Sequence, residues 1–440
     1  MRCRATTNAC RCGSLLLRVK ILYISQYFPP EMGAPAARAA ELAHHWSEAG
    51  HDVTVLTGFP NHPTGVVPGE WRPRLRRLTY REKVGRVNVV RTWLWPLPNR
   101  KAHERMRNYA SFCLSASLRG LALDRPDVII ATSPQLLVAL SGWWLAFARG
   151  IPLVFEVRDL WPESLTAVGV GGEHSLLHHA LAAIAGFLYE HANLVVVVTP
   201  AFREYLIERW RVPAEKIAVV ENGVETDLFA PLPPSLTEKM RRELGVERRF
   251  LVCYVGTMGM AHGLETLLDA ADQFQRQSSN VQFLLVGEGA EKTRIRQLAE
   301  ARGLRNVRFL DQQPRKRIPS ILSASDACLV LLKKTEVFKT VIPTKMLEFM
   351  SCARPVIVAV EGQARQIVEE AGAGLAIEPE NAHALALAID HLAAHHAQAS
   401  EFGRKGREYI LRNFARPEMA AKYIRILQAL IGRPAAPQQS

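Results

Sequence analysis

Short apolar runs alternate with amphipathic stretches along the chain. Val19–Ile24, Asp52–Thr57, Val87–Arg91, Asp127–Ala131, Pro152–Val157, Leu194–Val198 and Ile217–Val220 are brief and rich in Val, Ile and Leu. Runs that are apolar almost throughout belong inside a sheet covered on both faces, which is typically parallel. Helical patterns separate them at Ala36–Ala49, Lys101–Leu123, Leu136–Arg149, Leu176–Ala192 and Pro200–Arg209. Gly50 and Gly150 stand where a left-handed residue ends a helix. The alternation predicts a doubly wound α/β domain.

The second half repeats the pattern. Strands are predicted at Phe250–Gly256, Val281–Val286, Val307–Leu310, Ala327–Leu332 and Val356–Ala359, and helices at Leu264–Gln275, Glu380–His396 and Pro417–Ile431. Pro231, Pro233, Pro234 and Ser235 read as a linker. Two Rossmann-like domains facing across a cleft are expected, 19–225 and 226–414. A helix at 415–432 is expected to cross back to the first domain, with a disordered leader at 1–18 and a tail at 433–440. A chain of 440 residues exceeds one ordinary core, which agrees.

No apolar run reaches the 18 residues of a membrane span, and Leu15–Leu17 is too short for a signal peptide. A cytoplasmic protein is therefore expected. Cys3, Cys10 and Cys12 lie in the leader, while Cys113, Cys253, Cys328 and Cys352 stand singly in apolar context, so the four read as core thiols and no metal site is expected.

The net charge of +13 is uneven. Arg72 to Arg107 holds twelve Lys or Arg against Glu82 and Glu104, a local +10, interleaved with Trp71, Trp93 and Trp95. This suggests an anionic membrane surface or nucleic acid, or a solvated basic face with tryptophans packed beneath it. A nucleic-acid binder would leave the strand-end motifs below unexplained, so no nucleic-acid partner is expected.

Candidate chemistry sits in the loops after strands, where doubly wound sheets bind ligands. Gly33 lies in the first such loop, and Asn61 and His62 follow the second strand. Arg158-Asp159 ends the fifth run and reads either as active-site charge or as a structural ion pair. Gly256, Gly259 and Gly263 punctuate the first loop of the second half. Their spacing is not the dinucleotide fingerprint, but it permits close backbone approach to phosphate. In Val341–Ala359 a helix begins after Pro343, with Thr344 and Lys345 in its first turn and Glu348 one turn on. Lys345 suits a phosphate and Glu348 a ribose diol, although a surface Lys–Glu pair reads equally well.

Seven segments together resemble glycosyltransferase family 4, which has the GT-B fold. They are YFPPEMGAPAAR, GHDVTVLTGFPNHPTG, EVRDLWPES, VENGVETDLF, YVGTMGMAHGLETLL, VGEG and IPTKMLEFMSCARPVIV, in order from about Val19 to Arg425. The nearest resemblance is to the L-fucosamine transferase branch of bacterial surface-polysaccharide synthesis. It implies transfer of an N-acetylated amino-deoxy sugar from a UDP-sugar, with retention and without a metal or other cofactor. An undecaprenyl-linked acceptor at the inner membrane face is also implied. Within the resemblance Glu348 holds the ribose, Gly256, Thr257, Met258 and Gly259 lie under the diphosphate, Gly33 approaches from the first domain, and Gln312 and Pro314 read the base. Arg158 and Asp159 stand where many members have His-Asp beside the transferred sugar. Asn61, His62, Trp93, Trp95, Arg100 and Lys101 fall on the acceptor or membrane side.

Two departures stand out. Many members carry a second Glu eight residues before the ribose Glu, and position 340 is Thr. Cations common after the first strand of the second domain are replaced by Met260, Ala261 and His262. Lys345, with Arg158 reaching across the cleft, is the expected substitute. A nucleotide-sugar epimerase of the same two-domain fold is the alternative.

Overall fold

The computed structural model describes residues 18–62, 65–97, 102–164 and 175–432. The predicted leader, except Arg18, and the predicted tail lie outside them. The first sheet comprises β1 (Lys20–Ile24), β2 (Asp52–Gly58), β3 (Thr79–Val84), β4 (Val87–Thr92), β5 (Val128–Thr132), β6 (Leu153–Val157), β7 (Leu194–Val197) and β8 (Ile217–Val219). Their order is β3-β4-β2-β1-β5-β6-β7-β8, and all pairs are parallel except β3 with β4. The second sheet orders β9 (Phe250–Val255), β10 (Val281–Val286), β11 (Val307–Leu310), β12 (Ala327–Leu331), β13 (Val356–Ala359) and β14 (Gly374–Ala376) as β11-β10-β9-β12-β13-β14, all parallel. Both orders reverse beside their first strand, the topological switch that opens a ligand crevice. The fold is the expected GT-B arrangement of two doubly wound α/β domains.

Each sheet is covered on both faces. Leu22, Ile24, Ile129, Phe155 and Val197 pack under the helices Ala102–Leu121, Leu137–Arg149 and Leu176–His191. Tyr23, Val55 and Ile130 pack on the other face, where the helices Ala34–Glu48 and Arg416–Ile431 meet. The C-terminal helix thus lies on the first sheet. Fully buried Trp46 donates from Nε1 to the Ala420 carbonyl at 3.1 Å and meets Tyr423 edge-on at 5.2 Å.

Two chain passes join the domains side by side. Val224 bridges Ala415, and a Cβ on Gly223 would stand 2.9 Å from Arg416 Cα. Arg38 holds the outgoing pass from below, donating to the carbonyls of Val220 and Glu221 and to Asn222 Oδ1 at 3.0–3.2 Å. Its charge is matched by fully buried Glu156 at 2.8 Å, which also accepts from Tyr23 at 2.9 Å.

Three local expectations are revised. Pro231–Ser235 is not all linker, because Pro234 opens a helix to Glu243, a position that needs no N–H. β3 is an added strand, a polar edge paired with β4 through a turn at Gly85. The stretch Glu380–His396 breaks at His395 into two helices, Ala382–Ala394 and His396–Asn413.

Candidate functional site

The carboxyl ends of the two sheets face one another across a cleft of about 740 Å³. Gly33, Pro35, Arg158 and Asp159 line it from the first domain; Gly256, Thr257, His262, Gln312, Arg315, Thr344, Lys345 and Glu348 line it from the second. A groove of about 530 Å³ lies at the amino ends of β1 and β2, the end doubly wound sheets do not use for ligands.

The helix Thr344–Ser351 buries Met346, Leu347, Phe349 and Met350. That packing leaves Lys345 and Glu348, one turn apart, on the cleft side. Lys345 Nζ donates to Tyr254 Oη at 2.9 Å and sits 4.2 Å from the centroid of that ring. Gly256 has φ +140°, and a Cβ there would stand 3.0 Å from Lys345 Cε and Nζ. Gly256 therefore leaves room for the lysine as well as adopting a backbone closed to other residues. Burial pushes the Lys345 ammonium down to about 7, opposed by the Glu348 charge. Burial and the Lys345 charge together push His262 down to about 3, so His262 is a neutral lining group.

Glu348 Oε1 accepts from Arg315 Nη1 at 2.9 Å. The same guanidinium donates from Nη2 to Glu41 Oε1 of the first domain at 2.6 Å and lies 4.9 Å from the Phe229 ring. Glu41 Oε2 accepts from Arg416 Nε at 2.9 Å. Burial raises the Glu348 carboxyl above its usual range, and Arg315 opposes that shift.

On the first-domain side Gly33 precedes the helix Ala34–Glu48 with φ +135°. Arg158 takes its backbone place from Ser133 Oγ, 2.7 Å from its N–H, and its Nη1 reaches the Pro35 carbonyl at 3.4 Å. The guanidinium thus sits under the Gly33 turn. Burial raises the Asp159 carboxyl, opposed by Arg158. Glu31 ties the neighbouring loops, accepting backbone N–H groups from Phe28, Asn61 and His62, and burial lifts its carboxyl to about 7.

The family described as "Glycosyl transferase 4-like domain" matches residues 33–223, and "Glycosyl transferases group 1" matches residues 237–409. The two matches divide where the two sheets do. The chain belongs to glycosyltransferase family 4. A relative named as the colanic acid biosynthesis glycosyl transferase WcaI of Escherichia coli is 26% identical over 90% of this chain and 98% of its own. Alpha-maltose-1-phosphate synthase of Mycolicibacterium smegmatis is 26% identical over 72% and 83% respectively. Sucrose-phosphate synthase of Thermosynechococcus elongatus superposes with TM-score 0.74 at 23% identity, covering 94% of this chain and 99% of that one. Anabaena HepE, solved with UDP-glucose, gives TM-score 0.69 at 20% identity over 94% and 100%.

In this glycosyltransferase, several predicted residues do not line the cleft. Met258 is fully buried, with its N–H spent on the Glu288 carbonyl at 2.9 Å. Gly259 and Pro314 open the short helical turns that present His262 and Arg315 instead. Asn61 and His62 are bound to Glu31 behind the lining. Arg158 bonds within its own domain rather than across the cleft. Trp71 is buried beneath Arg74 and Arg91, 4.7 and 4.6 Å from its ring, so this part of the basic stretch is packed structure. Trp93 is half-buried and Trp95 is 49% exposed. Arg100 and Lys101 lie outside the described residues. Thr340 meets the first domain through its carbonyl, which accepts from Thr199 at 2.9 Å.

The sequence reading missed Arg315, which lines the cleft, and Glu41 and Tyr254, which stand behind the lining and hold Arg315 and Lys345. Tyr254 sits at the end of an apolar run and reads as core. Arg315 lies 33 residues from one carboxylate and 274 from the other, although it directly follows the singled-out Gln312–Pro314. Cys253, Cys328 and Cys352 are buried and Cys113 half-buried. Among the described residues no helix is long and apolar enough to cross a membrane, and no three His, Cys, Asp or Glu side chains converge on a metal position.

Proposed function

We propose that this glycosyltransferase moves a sugar, of the N-acetylated amino-deoxy kind, from a UDP-sugar to a lipid-linked glycan acceptor in cell-surface polysaccharide synthesis, with retention and without a metal. The observation that carries the reading is the placement of Lys345 and Glu348 one turn apart on the cleft side of their helix, with Lys345 over Gly256. Support comes from HepE, solved with UDP-glucose, from the colanic acid name of WcaI, and from WaaG, whose structure is described as that of a lipopolysaccharide-biosynthesis enzyme.

Glu348 then takes the ribose hydroxyls, Gln312 lies by the base, and the diphosphate lies between Lys345, Thr344 and the Gly256–Thr257 backbone. Gly33 closes on it from the first domain. The bond from the anomeric carbon to the β-phosphate oxygen breaks, leaving its electron pair on UDP. Lys345 and the positive end of its helix stabilise that developing charge. The acceptor hydroxyl attacks from the same face, forms the new glycosidic bond and gives its proton to the departing phosphate oxygen.

The acceptor side gains support from an apolar outer surface. Leu114, Leu118 and Leu121 follow one another at helical spacing on the exposed stripe of Ala102–Leu121, which begins with exposed His103 and Arg107. Trp144 and Phe147 are exposed on the adjoining helix, which packs closely enough that a Cβ on Gly120 would meet Leu145 at 2.3 Å. An apolar ridge beside an exposed arginine suits docking on an anionic bilayer, where a lipid-linked acceptor resides.

Thermal stabilisation by UDP-, GDP- and dTDP-sugars tests the donor, because a ligand of the folded state alone raises the midpoint. Stabilisation confined to GDP- or dTDP-sugars overturns the UDP assignment. NMR of the product linkage tests retention, and an inverted anomer overturns it.

A further inference from the structure

Glu348 is not a free carboxylate waiting for a ligand. It shares one guanidinium with a carboxylate of the opposite domain: Arg315 meets Glu348 at 2.9 Å and Glu41 at 2.6 Å. Both carboxylates are largely buried, at 13% and 12% side-chain exposure. Burial works against the Glu348 charge, and the Arg315 guanidinium between the two carboxylates works for it. The groups facing Glu348 are Arg315 from the turn after β11, Glu41 from the first domain, Arg416 from the C-terminal helix, Lys345 from its own helix and the Cys352 thiol at that helix's C-terminal end. Arg416 is committed to Glu41 at 2.8 Å, and Lys345 to the Tyr254 hydroxyl. Direct compensation of Glu348 therefore falls to Arg315.

We propose that Arg315 is a positioning residue for donor binding. It keeps Glu348 ionised and oriented toward the nucleotide seat, and it is itself oriented by Glu41. Donor affinity then depends on a first-domain side chain, Glu41, that acts through Arg315. This rests on the reading of Glu348 as the ribose-binding group. A protonated Glu348 can accept at one oxygen and must donate from the other, so it holds a diol less well than the carboxylate does.

The experiment has two arms. In the first, protein with 13C-labelled glutamate carboxyls is titrated without ligand, and the Glu348 signal is identified by its loss in Glu348→Gln. Arg315→Ala is expected to raise the Glu348 midpoint by about one unit or more, and adding Glu41→Gln to bring it back down by removing the like charge. In the second, UDP affinity is measured against pH. Arg315→Ala is expected to weaken UDP about tenfold near neutral pH and less under alkaline conditions, with recovery in the Arg315→Ala/Glu41→Gln double variant. An unmoved Glu348 midpoint, or a uniform loss of affinity at every pH without recovery, overturns the proposal. The first arm stands whether or not UDP binds, so absence of UDP binding by the unaltered protein overturns the donor reading separately.

Discussion

Lys345 and Tyr254 form one unit: the ammonium donates to the phenol oxygen at 2.9 Å and lies 4.2 Å from the centre of the ring. The phenol in turn donates to the Thr257 carbonyl at 2.6 Å. Tyrosine at the end of β9 thereby fixes both the loop below the proposed diphosphate seat and the cation above it. It does so without a counter-charge that would compete with phosphate. Lys345→Ala is expected to raise the barrier by about 2–4 kcal/mol, read from kcat/KM for the donor. Tyr254→Phe keeps the ring but removes the acceptor, with an expected cost of about 1 kcal/mol. Near wild-type turnover in Lys345→Ala sinks the assignment.

With the diphosphate placed at Lys345 as proposed, the same pair should make donor binding proton-linked. Burial brings Lys345 from 10.5 to about 7. Between those values the folded chain binds fewer protons than the unfolded one, so stability rises with pH across the window and falls as pH drops from 10.5 toward 7. A bound diphosphate pulls the lysine back to the charged form. Above about 7 UDP binding therefore takes up a proton, and affinity drops by up to tenfold per unit, while the phosphate, with a pKa of roughly 6, is already ionised. Calorimetry in buffers of different ionisation heat reads the uptake directly. It should vanish in Lys345→Met; no uptake by the unaltered protein in mild alkali rules the linkage out.

Most of the fold was legible because buried parallel strands announce themselves locally. Val281–Val286 or Leu194–Val197 needs no partner in view to be read. What escaped was set by distant chain. β3, Thr-Tyr-Arg-Glu-Lys-Val, carries edge-strand charges and becomes a strand only against β4. Lys345 and Glu348 were found because they share one helical turn. Arg315 and Glu41 were not, because only the assembled domain seam brings them together. The basic stretch misled in part: Arg91 sits under the fold at 1% side-chain exposure, bonded to Glu82, so local charge was not surface charge.

The apolar ridge gives a separable prediction. Leu118 and Phe147 are each 64% exposed. Changing both to Glu should alter stability by no more than about 1 kcal/mol, since surface positions away from packing contribute little. Vesicles containing anionic lipid should retain the unaltered protein, less so as salt rises, and should lose the double variant. Turnover on a water-soluble acceptor should be unchanged. Equal retention of both proteins, or equal binding to neutral vesicles, counts against the ridge.

The buried pair under the domain crossing makes the last prediction. Burial alone pushes Glu156 up, but the Arg38 and Arg158 charges outweigh it and leave the carboxyl below its usual range. A carboxyl lowered in this way adds stability above its unfolded value, and that contribution is lost as pH falls through the folded one. Arg38→Met keeps much of the volume, yet leaves Glu156 without its 2.8 Å partner and frees the Val220–Asn222 pass. Removing one member of a buried pair costs about 3–5 kcal/mol, mostly through the charge left behind. That remaining carboxyl relieves its burial by protonating, so the variant's deficit should shrink on acidification while the unaltered protein loses stability there. Urea unfolding in mild acid and mild alkali measures both. A deficit below about 1 kcal/mol, or one that does not shrink in acid, shows that the pair does not anchor the crossing.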